Sequence, residues 1–135
     1  MADSDRLASG GCHCGAVAFT VSVPDNAVAH ACNCSICRAS GFVGLIVPAE
    51  RFELLRGEKA LREYRFNTGV ARHWFCGTCG VKSFYRPRSN PEGVSINIHT
   101  LEQHWMAEIT IEPFDGQHWE RYAHTLAHLT RPAAE

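Results

Sequence analysis

Phe75-Cys76-Gly77-Thr78-Cys79-Gly80 is the stretch on which the fold of this chain turns. Two residues between the cysteines let both sulfurs reach one ion, while the intervening backbone N–H groups turn inward toward the thiolates. Gly77 and Gly80 are expected to supply the positive φ values that such a turn tends to need. The shape is that of a zinc knuckle, and one knuckle supplies two of the four ligands of a tetrahedral structural zinc. The natural donor of the other two is Gly10-Gly11-Cys12-His13-Cys14-Gly15, whose glycines allow the same close backbone approach. A CxxC can also be a thioredoxin-like redox pair, but no βαβ pattern surrounds this one and other thiols are available.

The remaining group, Cys32-Asn33-Cys34-Ser35-Ile36-Cys37, offers three thiols within six residues and no further cysteine to complete a shell. Three protein ligands plus a solvent position is what distinguishes catalytic from structural zinc. If Ser35 to Ser40 is helical, Cys34 and Cys37 lie one turn apart on one face, near a helix N-terminus that favours thiolates. A histidine could instead fill the fourth position, from among His30, His73 and His99, and the residues alone leave open and closed sites both standing. Seven cysteines are odd in number, so a disulfide framework would strand one, whereas a division into four and three between two metals leaves none.

That reading presumes a reducing compartment. Met1 to Ser9 carries charges and lacks an apolar core, unlike a signal peptide. No stretch approaches the roughly 20 apolar residues of a membrane helix. A cytoplasmic location is therefore expected, where dense cysteines signify metal or catalysis. The net charge of −1 and the scattered arginines leave no field for nucleic acid or an anionic membrane, so neither is expected as a partner. With 135 residues, 45% hydrophobic and 20% charged, one modest core is expected.

Outward from the cysteines the pattern is β. Val17, Phe19, Val21 and Val23 alternate with Ala18, Thr20 and Ser22, a strand with one buried face ended by Pro24-Asp25-Asn26. Val28 to Ala31 runs into Cys32, and Phe42 to Val47 stops at Pro48. Phe52 to Leu55 and Leu61 to Phe66 flank Gly57-Glu58-Lys59 as a hairpin or two adjacent strands. Ala71 to Phe75, Lys82 to Tyr85 and Val94 to Ile98 complete the series, with Ser89 to Gly93 a loop. Such spacing predicts an all-β sandwich, barrel or tent. A short helix is expected at Ser35 to Ser40. Trp119, Tyr122, Ala123, Leu126 and Leu129 predict a C-terminal helix near His118 to Leu129, with Arg131 to Glu135 frayed.

Other polar residues attract blander readings. His13, His104, His118, His124 and His128 read as surface or helix residues, and Trp74, Trp105 and Trp119 as core or core-edge aromatics. Glu102 and Glu108 lack a partner carboxylate for acid–base work. Arg38 and Lys82 adjoin cysteine groups, either offsetting thiolate charge or lying on a solvated surface.

The order Gly11-Cys12-His13-Cys14-Gly15, Cys32-Asn33-Cys34-Ser35-Ile36-Cys37-Arg38 and Phe75-Cys76-Gly77-Thr78-Cys79-Gly80 resembles the glutathione-dependent formaldehyde-activating enzyme family, which includes the centromere protein V type of domain. Gly57 to Phe66, Ile96-Asn97-Ile98 with Thr100-Leu101-Glu102, and Phe114-Asp115-Gly116 with Trp119-Glu120 extend the likeness over about Gly10 to Glu120. The resemblance implies a mainly β, zinc-bearing β-tent of short antiparallel strands, with a tail over residues 1–9 and one zinc-binding domain over 10–130. It implies two zinc ions: a structural one on Cys12, Cys14, Cys76 and Cys79, and a catalytic one on Cys32, Cys34 and Cys37. The implied activity is that of a carbon–sulfur lyase, joining glutathione and formaldehyde in S-hydroxymethylglutathione. The expectation is thus a zinc-dependent enzyme acting on a small thiol/aldehyde adduct, with a small-molecule thiol such as glutathione as partner. With three thiolates the second zinc would be a weak Lewis acid, so thiolate capture is favoured over carbonyl polarisation, with His30 or His99 carrying the proton. The alternatives are a non-catalytic zinc-stabilised interaction module with a closed second site, and a thiol-rich metal or redox sensor.

Overall fold

The computed structural model describes residues 6–66 and 68–130. Ten strands follow in order: β1 (Leu7–Gly11), β2 (Ala18–Ser22), β3 (Val28–Cys32), β4 (Val43–Pro48), β5 (Phe52–Arg56), β6 (Leu61–Tyr64), β7 (Arg72–Cys76), β8 (Phe84–Arg86), β9 (Gly93–Asn97) and β10 (Thr110–Phe114). Helix α1 (Ser35–Ser40) lies between β3 and β4, and α2 (Trp119–Tyr122) continues into a 3-10 segment, Ala123–Thr130. The mainly β expectation, the short helix beside the second cysteine group and the C-terminal helix are all present. The expected frayed end, Arg131 to Glu135, lies outside the described residues, as do residues 1–5 of the expected tail; Leu7 to Ser9 of that tail belong to β1.

The strands form a three-stranded sheet, β1-β2-β5, and a seven-stranded sheet, β10-β3-β4-β9-β8-β7-β6. The segments either side of Gly57 are therefore neither a hairpin nor adjacent strands. β5 pairs with β2 and β6 with β7, so Gly57 marks the passage from one sheet to the other. One pairing departs from the antiparallel expectation: β10 lies parallel to β3, with Glu112 opposite His30 and Phe114 opposite Cys32.

The alternation of side chains along each strand sorts the large sheet into two faces. Leu45 and Val47 of β4, Ile96 of β9 and Phe84 of β8 turn toward the small sheet and join Phe19 and Val21 of β2 in the core. Phe84 meets Phe19 edge-on at 5.6 Å and Phe52 at 4.8 Å between ring centroids. Removing each such side chain from water stabilises the fold by about 1.5–3 kcal/mol. The residues between them face the other way. His73, Tyr85, Ser95 and Ile46 pair in turn across β7, β8, β9 and β4, a registered row on the outer face.

That outer face is not left to solvent. Helix α1 and the C-terminal segment cover parts of it, and the latter is tied down by Asn90. Asn90 is 1% exposed and donates to the carbonyl of Leu126 and to Thr130 Oγ1, both at 3.0 Å. The loop predicted at Ser89 to Gly93 thus anchors the predicted helix.

Candidate metal centres and the cleft beside one of them

Cys12 and Cys14 follow β1, in the turn that leads to β2 of the small sheet; Cys76 closes β7 of the large one and Cys79 follows it. Their sulfurs lie within 4.8 Å of one another. Cys12 Sγ is 3.6 Å from Cys14 Sγ, which is 3.7 Å from Cys76 Sγ. All seven cysteines are free thiols. Sulfurs at about 2.3 Å from a tetrahedral zinc stand about 3.8 Å apart, so this donor set fits the ion.

The backbone prepares the site for negative charge. The N–H of Val17 points to Cys12 Sγ at 3.2 Å, and those of Thr78 and Cys79 to Cys76 Sγ at 3.3 and 3.5 Å. Backbone N–H groups of Val81 and Cys14 pull the Cys79 thiol down to about 6, and those of Cys79 and Thr78 lower Cys76. Gly80 has the expected positive φ, 81°. Gly77 does not; it is fitted for space instead, since a Cβ there would stand 3.2 Å from the carbonyl oxygen of Ala60, to which its N–H donates.

The second group forms where β3 runs into α1. Cys32, Cys34 and Cys37 also hold their sulfurs within 4.8 Å, and among the described residues no histidine, carboxylate or fourth cysteine joins them. Cys34 is the residue before the helix, in extended conformation. Hydrogen bonds from the Cys32 and Cys37 thiols and from the Cys37 and Ile36 N–H groups pull Cys34 down to about 2. Cys37, bonded to both other thiols and buried, is raised far above the thiol range. Three sulfurs this close form a donor set that a dication completes by displacing their protons.

A loop holds this group from the far side. Asn33, between two of the cysteines, donates Nδ2–H to Asp115 Oδ1 at 3.1 Å and accepts the Gln117 N–H at 2.9 Å. Asp115 also pairs with His118 Nδ1 at 2.8 Å, and both contacts lower its carboxyl pKa. Gly116 is thereby pressed against the sulfurs: a Cβ on it would stand 2.3 Å from Cys32 Sγ and 2.9 Å from Cys34 Cβ. Gly116→Ala is expected to weaken zinc at the second group about 10–100-fold while sparing the first. Zinc retained per chain against a graded chelator measures this, and two equally tight ions in the variant would refute it.

The three thiols open into a cleft of about 400 Å³. Its floor is the registered row described above, and Phe42, Phe66, Phe114 and Trp119 build walls. Of the histidines considered for the fourth position, His30 and His73 line the cleft; His99 is exposed and does not. His73 Nδ1 is instead 2.7 Å from Lys82 Nζ. Burial pushes His73 down to about 4 and Lys82 down to about 8, with nearby thiolates drawing Lys82 up again. At pH 7 the ammonium therefore donates to a neutral ring and fixes its proton on Nε2. Lys82 also stands 4.2 Å from the Tyr85 ring and 4.7 Å from that of Phe42. Of the two cations beside cysteines, Lys82 faces the thiolates and Arg38 is exposed.

His13, His104, His118, His124 and His128 are exposed, as their sequence reading expects. Trp105 is core, whereas Trp119 borders the cleft under the Arg88 guanidinium, 3.7 Å from its ring centroid. Sequence reasoning did not single out Asn33, Gly116, Tyr85 or Arg88. Asn33 and Gly116 had a signal, lying inside stretches already quoted; the other two had none.

Comparison with known proteins agrees with this geometry. A crystal structure of a Rhodobacter sphaeroides protein is similar over 77% of this chain and 99% of its own, at 35% identity and a TM-score of 0.68. The family model described as glutathione-dependent formaldehyde-activating enzyme matches residues 7–119, a span that holds both cysteine groups and the loop around Gly116. The chain belongs to the glutathione-dependent formaldehyde-activating enzyme family.

Proposed function

We propose that this protein is a zinc-dependent carbon–sulfur lyase-type enzyme, making and breaking the adduct of a small thiol with an aldehyde in the cytoplasm. Cys12, Cys14, Cys76 and Cys79 hold a structural zinc, and Cys32, Cys34 and Cys37 a catalytic one. One observation carries the reading: the second group opens on a cleft, and among the described residues no histidine, carboxylate or further cysteine closes its shell. Bound there, zinc supplies a position that takes up a substrate sulfur as thiolate.

The protein's own groups do the rest. Lys82 offsets the charge of the thiolates beside it. Tyr85, held protonated by burial, lines the cleft beside Lys82 and the three thiols. In the forming direction a C–S bond is made from thiol sulfur to carbonyl carbon and the C=O π pair moves onto oxygen. The thiol proton ends on that oxygen, with no net redox change. Of the two histidines considered for the proton, we assign His30, because it lines the cleft.

The rival, an interaction module closed by histidine, asks for an imidazole nitrogen beside the three sulfurs; among the described residues none stands there. The test is zinc content together with thiol–formaldehyde exchange followed by NMR, using glutathione, benzyl mercaptan and 4-(mercaptomethyl)benzoate. Two zinc ions per chain and exchange about 10²-fold faster than buffer for at least one thiol are expected. Exchange at the buffer rate for all of them would remove the proposal.

A further inference from the structure

The cleft over the three thiols has a lining that selects among thiols. Its rings are Phe42, Phe66, Tyr85, Phe114 and Trp119, and Ile46 and Leu126 add aliphatic surface. Against this the described lining offers a single permanently charged side chain, Arg88, and no carboxylate. Arg88 is held flat: its guanidinium stacks on Trp119 and one of its nitrogens meets the carboxylate of Glu120. Glu120 is 79% exposed, so that pairing is weak and readily exchanged for another anion. A planar, stacked guanidinium that keeps its charge is suited to receive a carboxylate.

Glutathione carries two carboxylates and an ammonium at neutral pH. Arg88 can answer one carboxylate; the described lining holds no acid for the ammonium and no second fixed cation. Charges taken into an apolar cleft without partners are strongly penalised, because the water they give up is not replaced. A thiol with an aromatic or similarly apolar body and one acidic end meets every part of this surface.

Resting on the carbon–sulfur reading above, we propose that the cleft takes thiols, and their aldehyde adducts, whose body is apolar and ring-sized and ends in a single carboxylate held by Arg88, in preference to glutathione. The sulfur lies toward Cys32, Cys34 and Cys37, the body against the rings, and the carboxylate at the guanidinium on Trp119.

Calorimetric titration of the zinc-loaded protein tests this with four probes: 4-(mercaptomethyl)benzoate, benzyl mercaptan, glutathione and the sulfur-free 4-ethylbenzoate. The first is expected to bind at least about tenfold more tightly than glutathione. Arg88→Gln should weaken it about tenfold and leave benzyl mercaptan within about twofold, while Arg88→Lys retains most of the affinity. Glutathione binding as tightly as the aryl thiol, or Arg88→Gln weakening both aryl thiols equally, would overturn the proposal. The sulfur-free probe separates the two readings. If it binds as tightly as its thiol counterpart and still depends on Arg88, the cleft's selectivity stands and capture of sulfur at the three cysteines falls.

Discussion

Cys76→Ser is expected to yield a chain that no longer holds its native fold. Cys76 is 1% exposed and ends a strand of the large sheet, while Cys12 and Cys14 flank the small one. A zinc bound by all four sulfurs therefore fastens one sheet to the other, closing a loop of chain between Cys14 and Cys76. Structural zinc contributes about 10–16 kcal/mol in small domains that fold around it. A domain of this size is stable by only about 5–15 kcal/mol. Replacing a thiolate with a hydroxyl, a much poorer ligand for zinc, removes a term as large as the whole margin. It also leaves the Thr78 and Cys79 N–H groups without the sulfur they point to. Near-ultraviolet circular dichroism, thermal unfolding and zinc content report the result. A variant with native spectra, one remaining zinc and an unchanged melting temperature would show that the four-thiol group does not hold the sheets together.

Much of this architecture is readable in the chain. Val17 to Val23 and Phe42 to Val47 announce their strands because one face of each is buried, so apolar residues recur where the pleat requires. Ser35 to Ser40 stands out as a break in the strand pattern, and it is the helix α1. β1 and β10 give no such signal. Leu7 to Gly11 is mostly small residues, and becomes a strand because β2 offers it an edge. Thr110 to Phe114 is exposed at four of its five positions and contains Pro113, which an edge strand tolerates. Its parallel pairing with β3 follows from the route of the chain, which local periodicity does not encode.

The site divides along the same line. Each run of cysteines is local, set by a spacing of two or three residues, and could be found from sequence; only the meeting of Cys12 and Cys14 with Cys76 and Cys79 is long-range. The cleft is assembled from afar: His73, Tyr85, Ser95 and Ile46 become neighbours only through strand register, and Arg88 meets Trp119 across a loop pinned by Asn90. The cysteines that could hold metal were therefore legible, whereas the cleft beside them was not.

The two cysteine groups should separate cleanly under mutation, and Cys37→Ser is the other half of that contrast. Cys37 lies on α1, 3% exposed, but the helix does not depend on its sulfur. The N–H of Arg38 bonds to the carbonyl of Cys34 at 2.9 Å, and that of Phe42 to the carbonyl of Cys37 at 3.0 Å. Serine fits the same space, leaving the core between the two sheets untouched. A stability loss of about 1–2 kcal/mol is expected, within the ordinary range for a buried substitution. The chemistry should fare differently. A shell of three ligands has no redundancy. Zinc per chain should fall from two to one, the melting temperature by a few degrees, and thiol–aldehyde exchange to the rate in buffer. Undiminished exchange in a variant that binds one zinc would place the chemistry elsewhere, whereas global unfolding would make the second group structural like the first. One zinc, a native spectrum and no turnover is the result that ties reactivity to the group of three.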